Sequence, residues 1–535
     1  MTTTTLGNYF DTVKTDKSAS PVLPKIRRIL IVGGGSAGWM TALTLARSFI
    51  ELGVEITVLE SPAVGVIGVG EGSTAWLRGF FDGLGIEEAE WMPACHATYK
   101  CGTTFAGWST RPGFERHFQP FASMLDNLTM TQFVHNVEAR LNGANVHAHP
   151  DRFFIAARLA AEHRAPKAPD HFPFDVWHGY HVDSVLLAQF LQRKALERGV
   201  HYKRRHVTHA TLDATGAIGA VVTQEGETVT ADLFVDCTGL TGLLIDKTLR
   251  TPFISFANNL FNDAVVTLSS PIGTSIPSET VAAALKHGWA WKIPLTSRYG
   301  NGYVYSTQSC SPEAAETELR RNLGLLESDA PARHVRMRTG RVAKHWNKNC
   351  LAVGLSQGFI EPLEATALLF IQQTVAAFVE CLQQGDFSEA AHDRFNQQVN
   401  EHFEGTRDYI VTHYKMSARD DTEYWRANAA NGNLSDELRQ LHSAWMSGRS
   451  IAADVRRQAI GKGYPVFSWY SLMAGMGGFP DSGELRSPTA QEARYNMAEI
   501  DNLLDRSRVN YPAHRKALAR IAPRRTDESL QIYLW

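Results

Sequence analysis

At 535 residues the chain is too long for one small core, and about two or three domains are expected. Its 44% hydrophobic and 20% charged residues are typical of a globular protein, and a net charge of −2 gives no electrostatic basis for binding nucleic acid or an anionic membrane. The six cysteines show no CxxC or other metal-ligand spacing, which favours reduced thiols in a cytoplasmic protein.

The N-terminal segment, residues 1–28, is predicted to be a flexible tail. It is rich in Thr, Ser and Lys and lacks the apolar run of a signal peptide. The most apolar later stretch, residues 365–382, is interrupted by Gln372, Gln373 and Glu380. It therefore predicts a buried helix rather than a membrane span.

A dinucleotide-binding fingerprint follows the tail. A predicted strand at 29–32 leads into a glycine-rich turn and then a helix at 39–50; the turn is Gly33, Gly34, Gly35, Ser36, Ala37 and Gly38. Gly33 permits the tight turn, Gly35 lets the backbone approach a pyrophosphate, and Gly38 allows the helix to pack closely on the strand. Glu60, at the end of the next predicted strand (55–59), is placed to bind ribose hydroxyls.

Two later segments favour FAD over a nicotinamide cofactor. Residues 231–235 lead into Asp236 and Gly239, which resembles the strand-Asp-x-x-Gly element of flavoproteins with two dinucleotide-binding motifs. The predicted strand ending at Gly354 resembles their third flavin segment, although Leu355 stands where those proteins usually carry Asp. The predicted fold class is α/β, with a Rossmann-like FAD domain of the glutathione-reductase and p-hydroxybenzoate-hydroxylase type and an added helical module.

The least generic stretch is residues 288–294, Gly-Trp-Ala-Trp-Lys-Ile-Pro. Trp289 and Trp291 lie two residues apart, so they share one face of an extended strand, and Ile293 and Pro294 end it. Alone, this pattern favours an ordinary core strand that ends at a turn.

With these tryptophans beside the fingerprint, the chain resembles the flavin-dependent halogenases of the tryptophan halogenase-like group. The resemblance covers about residues 29–426 and returns at 469–480; further matching stretches are residues 68–71 (including Gly70 and Glu71), 80–86, 90–93, 302–306 and 424–427. It implies an enzyme that uses reduced FAD from a separate NAD(P)H-dependent flavin reductase. It also implies a flavin hydroperoxide that converts halide to hypohalous acid, with the two tryptophans keeping substrate away from the flavin.

The same resemblance assigns the catalytic residues. Lys100 corresponds to the lysine that holds or captures the hypohalous acid, and Glu364 to the carboxylate that assists attack on the aromatic ring. Glu364 is also explained as an acidic residue in the first turn of a helix after Pro362, and Glu361 is a competing carboxylate interpreted as structural. The halide is expected on the backbone N–H groups of Thr366 and Ala367.

The sequence departs from the family at the halide and substrate ends. Most members read Glu-Ser-Thr-Gly where this chain has Glu364, Ala365, Thr366 and Ala367, which raises the hypothesis of a bromide preference. Phe121 and Trp469 match substrate positions, but Gln119 stands where the family has a sandwiching His, and residues 458–465 contain no Tyr-Tyr or acidic segment. Indoles, phenols or pyrroles are therefore predicted as substrates in preference to free tryptophan.

The predicted organisation is a tail (1–28), an FAD-binding core (29–384) with an insertion at about 113–174 facing the substrate, and a mainly helical substrate module (385–535). His147 and His149 form an HxH without a third ligand, so no metal is expected. Asp183 is interpreted as a helix cap, and a homodimer stays open. Two alternatives remain: an FAD-dependent aromatic hydroxylase, and a flavin-binding protein without catalysis.

Overall fold

The computed structural model describes residues 26–65, 68, 70–385, 387–457, 463–481 and 483–521. Most of the predicted tail, Val69 and residues 458–462 of the C-terminal module lie outside these ranges. The α-helices described are Ser36–Phe49, Trp76–Gly83, Glu88–Ala94, Asp126–Leu141, Ile155–Ala161, Ser184–Glu197, Pro312–Leu323, Ala367–Gln384, Glu389–Met416, Glu423–Ala430, Asp436–Met446, Ala452–Arg457, Val466–Gly475, Met497–Arg508 and His514–Ile521. Within the described ranges, no helix has the length and apolar content needed to cross a membrane.

The first sheet carries the fingerprint. Its six strands lie in the order Trp346–Asn347, Cys350–Ala352, Leu233–Asp236, Arg28–Val32, Glu55–Glu60 and His201–Arg204, with only the first edge pair antiparallel. Ile29 and Ile31 pack into one hydrophobic core and Leu30 and Val32 into another. Both faces of this strand are covered, which explains its unbroken apolar sequence and confirms the predicted α/β class.

The second sheet holds the two tryptophans near its centre. Its seven strands lie in the order Arg333–Arg336, Ala264–Pro271, Arg298–Tyr305, Gly288–Pro294, Thr280–Leu285, Gly102–Ala106 and Arg116–Pro120. The predicted strand at 288–294 is confirmed, and we call it the motif strand. Trp291 lies opposite Gly302, where an added Cβ would come within 2.2 Å of the indole ring, so only glycine leaves room for it.

A small third sheet brings Lys100 beside the motif strand. It pairs Gly70–Gly72 and Thr98–Lys100 with the central strand Gly179–Asp183. Asp183 then begins the helix Ser184–Glu197, because its carboxylate accepts hydrogen bonds from the N–H groups of Val185 and Leu186. The predicted role of Asp183 as a helix cap is confirmed.

Two three-stranded antiparallel sheets complete the strands: a meander (Val207–Leu212, Ile218–Thr223, Thr228–Val229) and a second sheet (Phe253–Ser255, Gly340–Val342, Gly358–Phe359). The region predicted as an insertion contains the helices Asp126–Leu141 and Ile155–Ala161, while its strand Arg116–Pro120 is the edge of the second sheet. After residue 385 the described chain is mainly helical up to the end of the helix Val466–Gly475. That helix contacts the edge strand Arg116–Pro120 of the second sheet.

Candidate active site

The glycine turn has the geometry that a dinucleotide requires. Gly33 has φ +119°, and an added Cβ there would lie 2.1 Å from the carbonyl oxygen of Cys237. A Cβ on Gly38 would lie 1.9 Å from the carbonyl oxygen of Gly33, whereas one on Gly35 would meet nothing within 4 Å. The open side of the turn is therefore at Gly35, where the helix Ser36–Phe49 begins without a side-chain cap and leaves its N–H groups available.

The other two flavin segments meet this turn. Gly354, with φ +73°, comes so close to the helix that an added Cβ would lie 2.7 Å from the Cβ of Ala37. Gly239, with φ +69°, faces open space. Asp236 is fully buried, and its carboxylate accepts hydrogen bonds from the N–H groups of Leu244 and Ile245 at 2.7 and 2.8 Å. Asp236 therefore holds the loop in shape, a role different from direct contact with a ligand.

Glu60 lies over the turn from the adjacent strand. Its side chain would be 2.4 Å from a Cβ on Gly34, and its carboxylate accepts a hydrogen bond of 2.8 Å from the hydroxyl of Tyr202. A carboxylate beside an uncapped helix N-terminus and an unobstructed glycine form a cradle that fits the adenosine and pyrophosphate parts of FAD. When FAD is bound, these groups would hold it.

The strand Gly70–Gly72 lies between the motif strand and Lys100. A Cβ on Gly70 would lie 3.3 Å from both Ile293 and the backbone of Gly300, so Gly70 packs on the motif strand. Side chains alternate along a strand, so Glu71 projects to the opposite face. Glu71 as a whole is partly exposed, but the protein packed around its carboxyl group removes water from it. This desolvation raises the pKa of the Glu71 carboxyl group to about 7.

Lys100 is the buried cation of the site. Its side chain is 2% exposed, and its Nζ lies 5.7 Å from the ring centroid of Phe121. Burial lowers the pKa of Lys100 to about 8, and the negative charge of Glu364 opposes that shift. No other described residue forms a hydrogen bond with Nζ, so the cation faces the site without a fixed partner.

Glu364 lies in a separate 3₁₀ turn, Pro362–Glu364. This agrees with the expectation that Glu364 stands in the first turn of a helix after Pro362, but the turn stops there, because Ala365 adopts a left-handed conformation (φ +55°) and the helix Ala367–Gln384 begins two residues later. A left-handed alanine costs about 1–2 kcal/mol. A right-handed residue followed by a left-handed one also makes successive N–H groups converge into an anion-binding nest.

Thr366 and Ala367 follow this turn at the helix N-terminus. Thr366 is buried, and its hydroxyl has no hydrogen-bond partner among the described residues. The N–H groups in the first turn of a helix lack partners inside the helix. The predicted halide position therefore combines a nest, a helix N-terminus and an unpaired hydroxyl.

Glu361 is occupied by structural contacts. One of its carboxylate oxygens accepts hydrogen bonds from Trp289 Nε1 at 2.7 Å, Asn262 Nδ2 at 2.8 Å and the Tyr414 hydroxyl at 2.8 Å. Burial raises the pKa of the Glu361 carboxyl group, and these three donors oppose the shift. The geometry favours the structural interpretation of Glu361, which fixes the first tryptophan of the motif strand.

The two tryptophans form one buried layer on the motif strand. Their ring centroids are 6.0 Å apart, and both side chains are buried. The Trp291 indole N–H has no hydrogen-bond partner among the described residues. Pro294, the last residue of the strand, accepts a hydrogen bond of 2.7 Å from the hydroxyl of Thr98, two residues before Lys100.

The family is decided by comparison with known proteins. A family model described as tryptophan halogenase matches residues 28–491. The chain is 36% identical over 486 residues to tryptophan 6-halogenase SttH from Streptomyces toxytricini, covering 84% of this chain and 89% of that protein. The chain belongs to the tryptophan halogenase family.

Solved halogenase structures share the fold. The crystal structure of SttH superposes with a TM-score of 0.81 at 35% identity, covering 92% of this chain and 99% of the other. BrvH, a flavin-dependent halogenase from Brevundimonas sp. BAL3, gives a TM-score of 0.79 at 29% identity, with 94% and 100% coverage. The chain is therefore a halogenase enzyme with the Rossmann-like FAD fold predicted from sequence, and the family uses reduced FAD and a halide. The hydroxylase alternative receives no support from these relatives.

Stacked aromatic side chains surround Trp469, one of the residues predicted to contact the substrate. Tyr409 stacks on Tyr464 at 3.7 Å and packs edge-on against Trp469 at 4.7 Å between ring centroids. Gln119 donates hydrogen bonds from Nε2 to the Tyr409 hydroxyl at 3.0 Å and to the Ser468 carbonyl at 3.2 Å. These hydrogen bonds hold Gln119 against the helical module. Gln119 also lacks the ring with which the family's histidine sandwiches a substrate.

Several residues that lie beside Lys100 and Glu364 belong to no recognisable sequence motif. His413 Nε2 lies 2.9 Å from a carboxylate oxygen of Glu364, although the ring N–H does not point along that line. Thr280, His181 and Gly72 border Lys100. These residues come from four separate elements.

Proposed function

We propose that this halogenase transfers bromine, and more slowly chlorine, to electron-rich aromatic rings such as indole. The observation that carries the proposal is the proximity of Lys100 and Glu364 beside residues 364–367, which we call the halide turn. Glu361, three residues before Glu364, binds Trp289 of the buried tryptophan layer. Reduced FAD, when bound, supplies with O₂ the oxidant that converts halide to hypohalous acid. The chain's own residues then have to hold that acid, exclude water and position the ring.

Lys100 has two routes to the same product. As an ammonium it donates a hydrogen bond to the oxygen of hypohalous acid and draws electrons from the halogen. As an amine it takes the halogen, forming an N–halogen bond while hydroxide leaves and combines with the released proton as water. With the pKa of Lys100 lowered to about 8, both forms exist near neutral pH.

Glu364 acts on the ring. When the aromatic carbon takes the halogen, the ring becomes a cation that still carries a proton on the same carbon. A carboxylate beside Lys100 stabilises this cation and accepts the proton, which restores aromaticity.

The halide turn supports a bromide preference. A methyl at Ala365 replaces the family's hydroxymethyl, and a methyl at Ala367 replaces a hydrogen, so the site has lost a hydrogen-bond donor for the strongly hydrated chloride. At equal concentrations we expect brominated product to exceed chlorinated product about tenfold, and Ala367→Gly to narrow that ratio. The check is a competition assay read by mass spectrometry. Equal bromination and chlorination in the unaltered enzyme would defeat the preference.

The substrate end supports indole over free tryptophan. Gln119 is held by Tyr409 and Ser468, and it replaces the family's sandwiching ring. Without residues that bind the amino and carboxylate groups of tryptophan, a substrate that lacks those groups gives up no binding energy. We expect kcat/KM for indole to exceed that for tryptophan by about tenfold or more. Side-by-side initial rates measure this, and faster turnover of tryptophan would contradict it.

The function itself is tested by a panel of indoles, phenols and pyrroles with FAD, a flavin reductase, NADH and bromide. Mass spectrometry should detect brominated products that disappear when bromide or the reductase is omitted. An oxygenated product formed without halide would favour the hydroxylase alternative. Absence of any product, with flavin still binding, would favour the non-catalytic one.

A further inference from the structure

A buried hydrogen-bond chain links the motif strand to the space beside Lys100. The Thr98 hydroxyl lies 2.7 Å from the Pro294 carbonyl oxygen and 2.9 Å from His181 Nδ1. His181 Nε2 lies 2.9 Å from the hydroxyl of Thr280. All three side chains are at least nine-tenths buried, and His181 is completely so.

The proton positions in this chain are fixed by its ends. A carbonyl oxygen only accepts, so the Thr98 hydroxyl donates its one hydrogen to Pro294. His181 Nδ1 must then donate to Thr98. Burial holds the pKa of His181 well below its usual value, and the positive charge of Lys100 lowers it further. The ring is therefore neutral, Nε2 is an acceptor, and the Thr280 hydroxyl donates to it with its lone pairs turned outward.

The Thr280 hydroxyl and the Lys100 ammonium both lie beside Gly72. A methyl group built on Gly72 would lie 3.5 Å from Lys100 Nζ, 3.5 Å from Thr280 Oγ1 and 3.4 Å from the Cβ of Ala365. One point is thus surrounded by a cation, a hydroxyl oxygen and the alanine that stands where the family has serine. Because residue 72 is glycine, no side chain separates these groups, and the hydroxyl missing from Ala365 has a counterpart in Thr280.

We propose that Thr280 is the second polar partner of hypohalous acid in this enzyme, and that His181 is the positioning residue that turns it. The acid's oxygen accepts a hydrogen bond from Lys100, and its O–H donates to Thr280 Oγ1. Thr280 cannot donate to the acid in return, because its hydrogen is committed to His181. The pair fixes the direction of the halogen and prevents the acid from leaving. This inference rests on the proposed function and adds to it a residue from the strand Thr280–Leu285.

The test compares retention of hypohalous acid in four single variants. Thr280→Val keeps the shape of the side chain but removes the hydroxyl, whereas Thr280→Ser retains the hydroxyl. His181→Phe removes the ring nitrogen that orients the Thr280 hydroxyl. Thr223→Val is the matched control, a buried strand threonine in the separate 207–229 meander. Each is assayed for bromoindole, for bromination of a freely diffusing 1,3-diketone trap, and for flavin oxidation.

In Thr280→Val we expect bromoindole per flavin oxidised to fall about tenfold while bromination of the trap rises and flavin oxidation is unchanged. His181→Phe should behave in the same direction, and Thr280→Ser and Thr223→Val should resemble the unaltered enzyme. Circular dichroism and FAD binding check that each variant folds. Equal partition between indole and trap in Thr280→Val and the unaltered enzyme would overturn the role of Thr280. No bromination by the unaltered enzyme would instead overturn the proposed function.

Discussion

Replacing Lys100 with methionine should reduce halogenation of indole by about 10²–10³-fold or more while flavin oxidation continues. Methionine has a similar volume, so the buried strand Thr98–Lys100 keeps its packing, but nothing then holds or accepts the halogen. Oxidising equivalents should appear as hydrogen peroxide or as halogenated trap. Product analysis and peroxide assay measure both arms. Retained halogenation of indole would remove Lys100 from the mechanism.

The same substitution should stabilise the protein at neutral pH. The pKa of Lys100 falls from an ordinary value of 10.5 to about 8, which corresponds to roughly 3 kcal/mol less stabilisation of the ammonium in the folded state than in the unfolded chain. This penalty is complete below pH 8, where both states are protonated. It disappears as pH rises towards 10.5, because the unfolded chain then binds more protons than the folded one.

Thermal unfolding at a series of pH values measures this effect. Lys100→Met should unfold at a higher temperature than the unaltered enzyme at pH 7, with the difference shrinking above pH 8. Lys203→Met provides the control, because Lys203 is an exposed lysine paired with Glu227 and carries no burial penalty. A lower unfolding temperature for Lys100→Met at pH 7 would mean that the ammonium stabilises the site.

Glu364→Gln should lower kcat for halogenation by about 10²–10⁴-fold without weakening the fold. Glutamine keeps the shape of the side chain but cannot accept the ring proton or balance the charge of the cationic ring. The measurement is single-turnover product formation with indole and bromide, together with FAD binding. A variant that halogenates at the original rate would make Glu364 structural.

The neighbouring carboxylate serves as the contrasting case. Glu361→Ala removes the acceptor shared by three buried donors, and it leaves the indole N–H of Trp289 and the Tyr414 hydroxyl without that partner. It should therefore lower the free energy of unfolding by about 3 kcal/mol or more, which thermal or urea unfolding detects. Glu364→Gln should show no such loss. Equal loss of stability in both variants would mean that Glu364 is a structural carboxylate like Glu361.

The elements that sequence reasoning located are those whose local rules are strong. The strand Arg28–Val32, the cap at Asp183 and the motif strand each follow from a run of apolar residues, a capping residue or a proline within a few positions. The break between the turn Pro362–Glu364 and the helix Ala367–Gln384 could not be predicted, because the left-handed residue that separates them is an alanine and not a glycine. Local propensity gives no sign of such strain.

Contacts between distant segments could not be obtained in this way. Thr280 and His181 are 99 positions apart, and His413 approaches Glu364 from the helix Glu389–Met416. The sequence separation in each pair is far longer than the repeat of a helix or a strand, so periodicity cannot reveal the contact. Their meeting depends on how the second and third sheets pack against the helical module, which one sequence does not specify.

The central claim is that oxidant generated with reduced FAD reaches the ring as halogen through Lys100. The most direct measurement is a bromide titration with indole, O₂ and enzymatically reduced FAD, scored as bromoindole and hydroxyindole per flavin oxidised. We predict bromoindole that rises with bromide and saturates, with no hydroxyindole at zero bromide. Hydroxyindole formed in the absence of bromide, or a yield of bromoindole unaffected by Lys100→Met, would contradict this account.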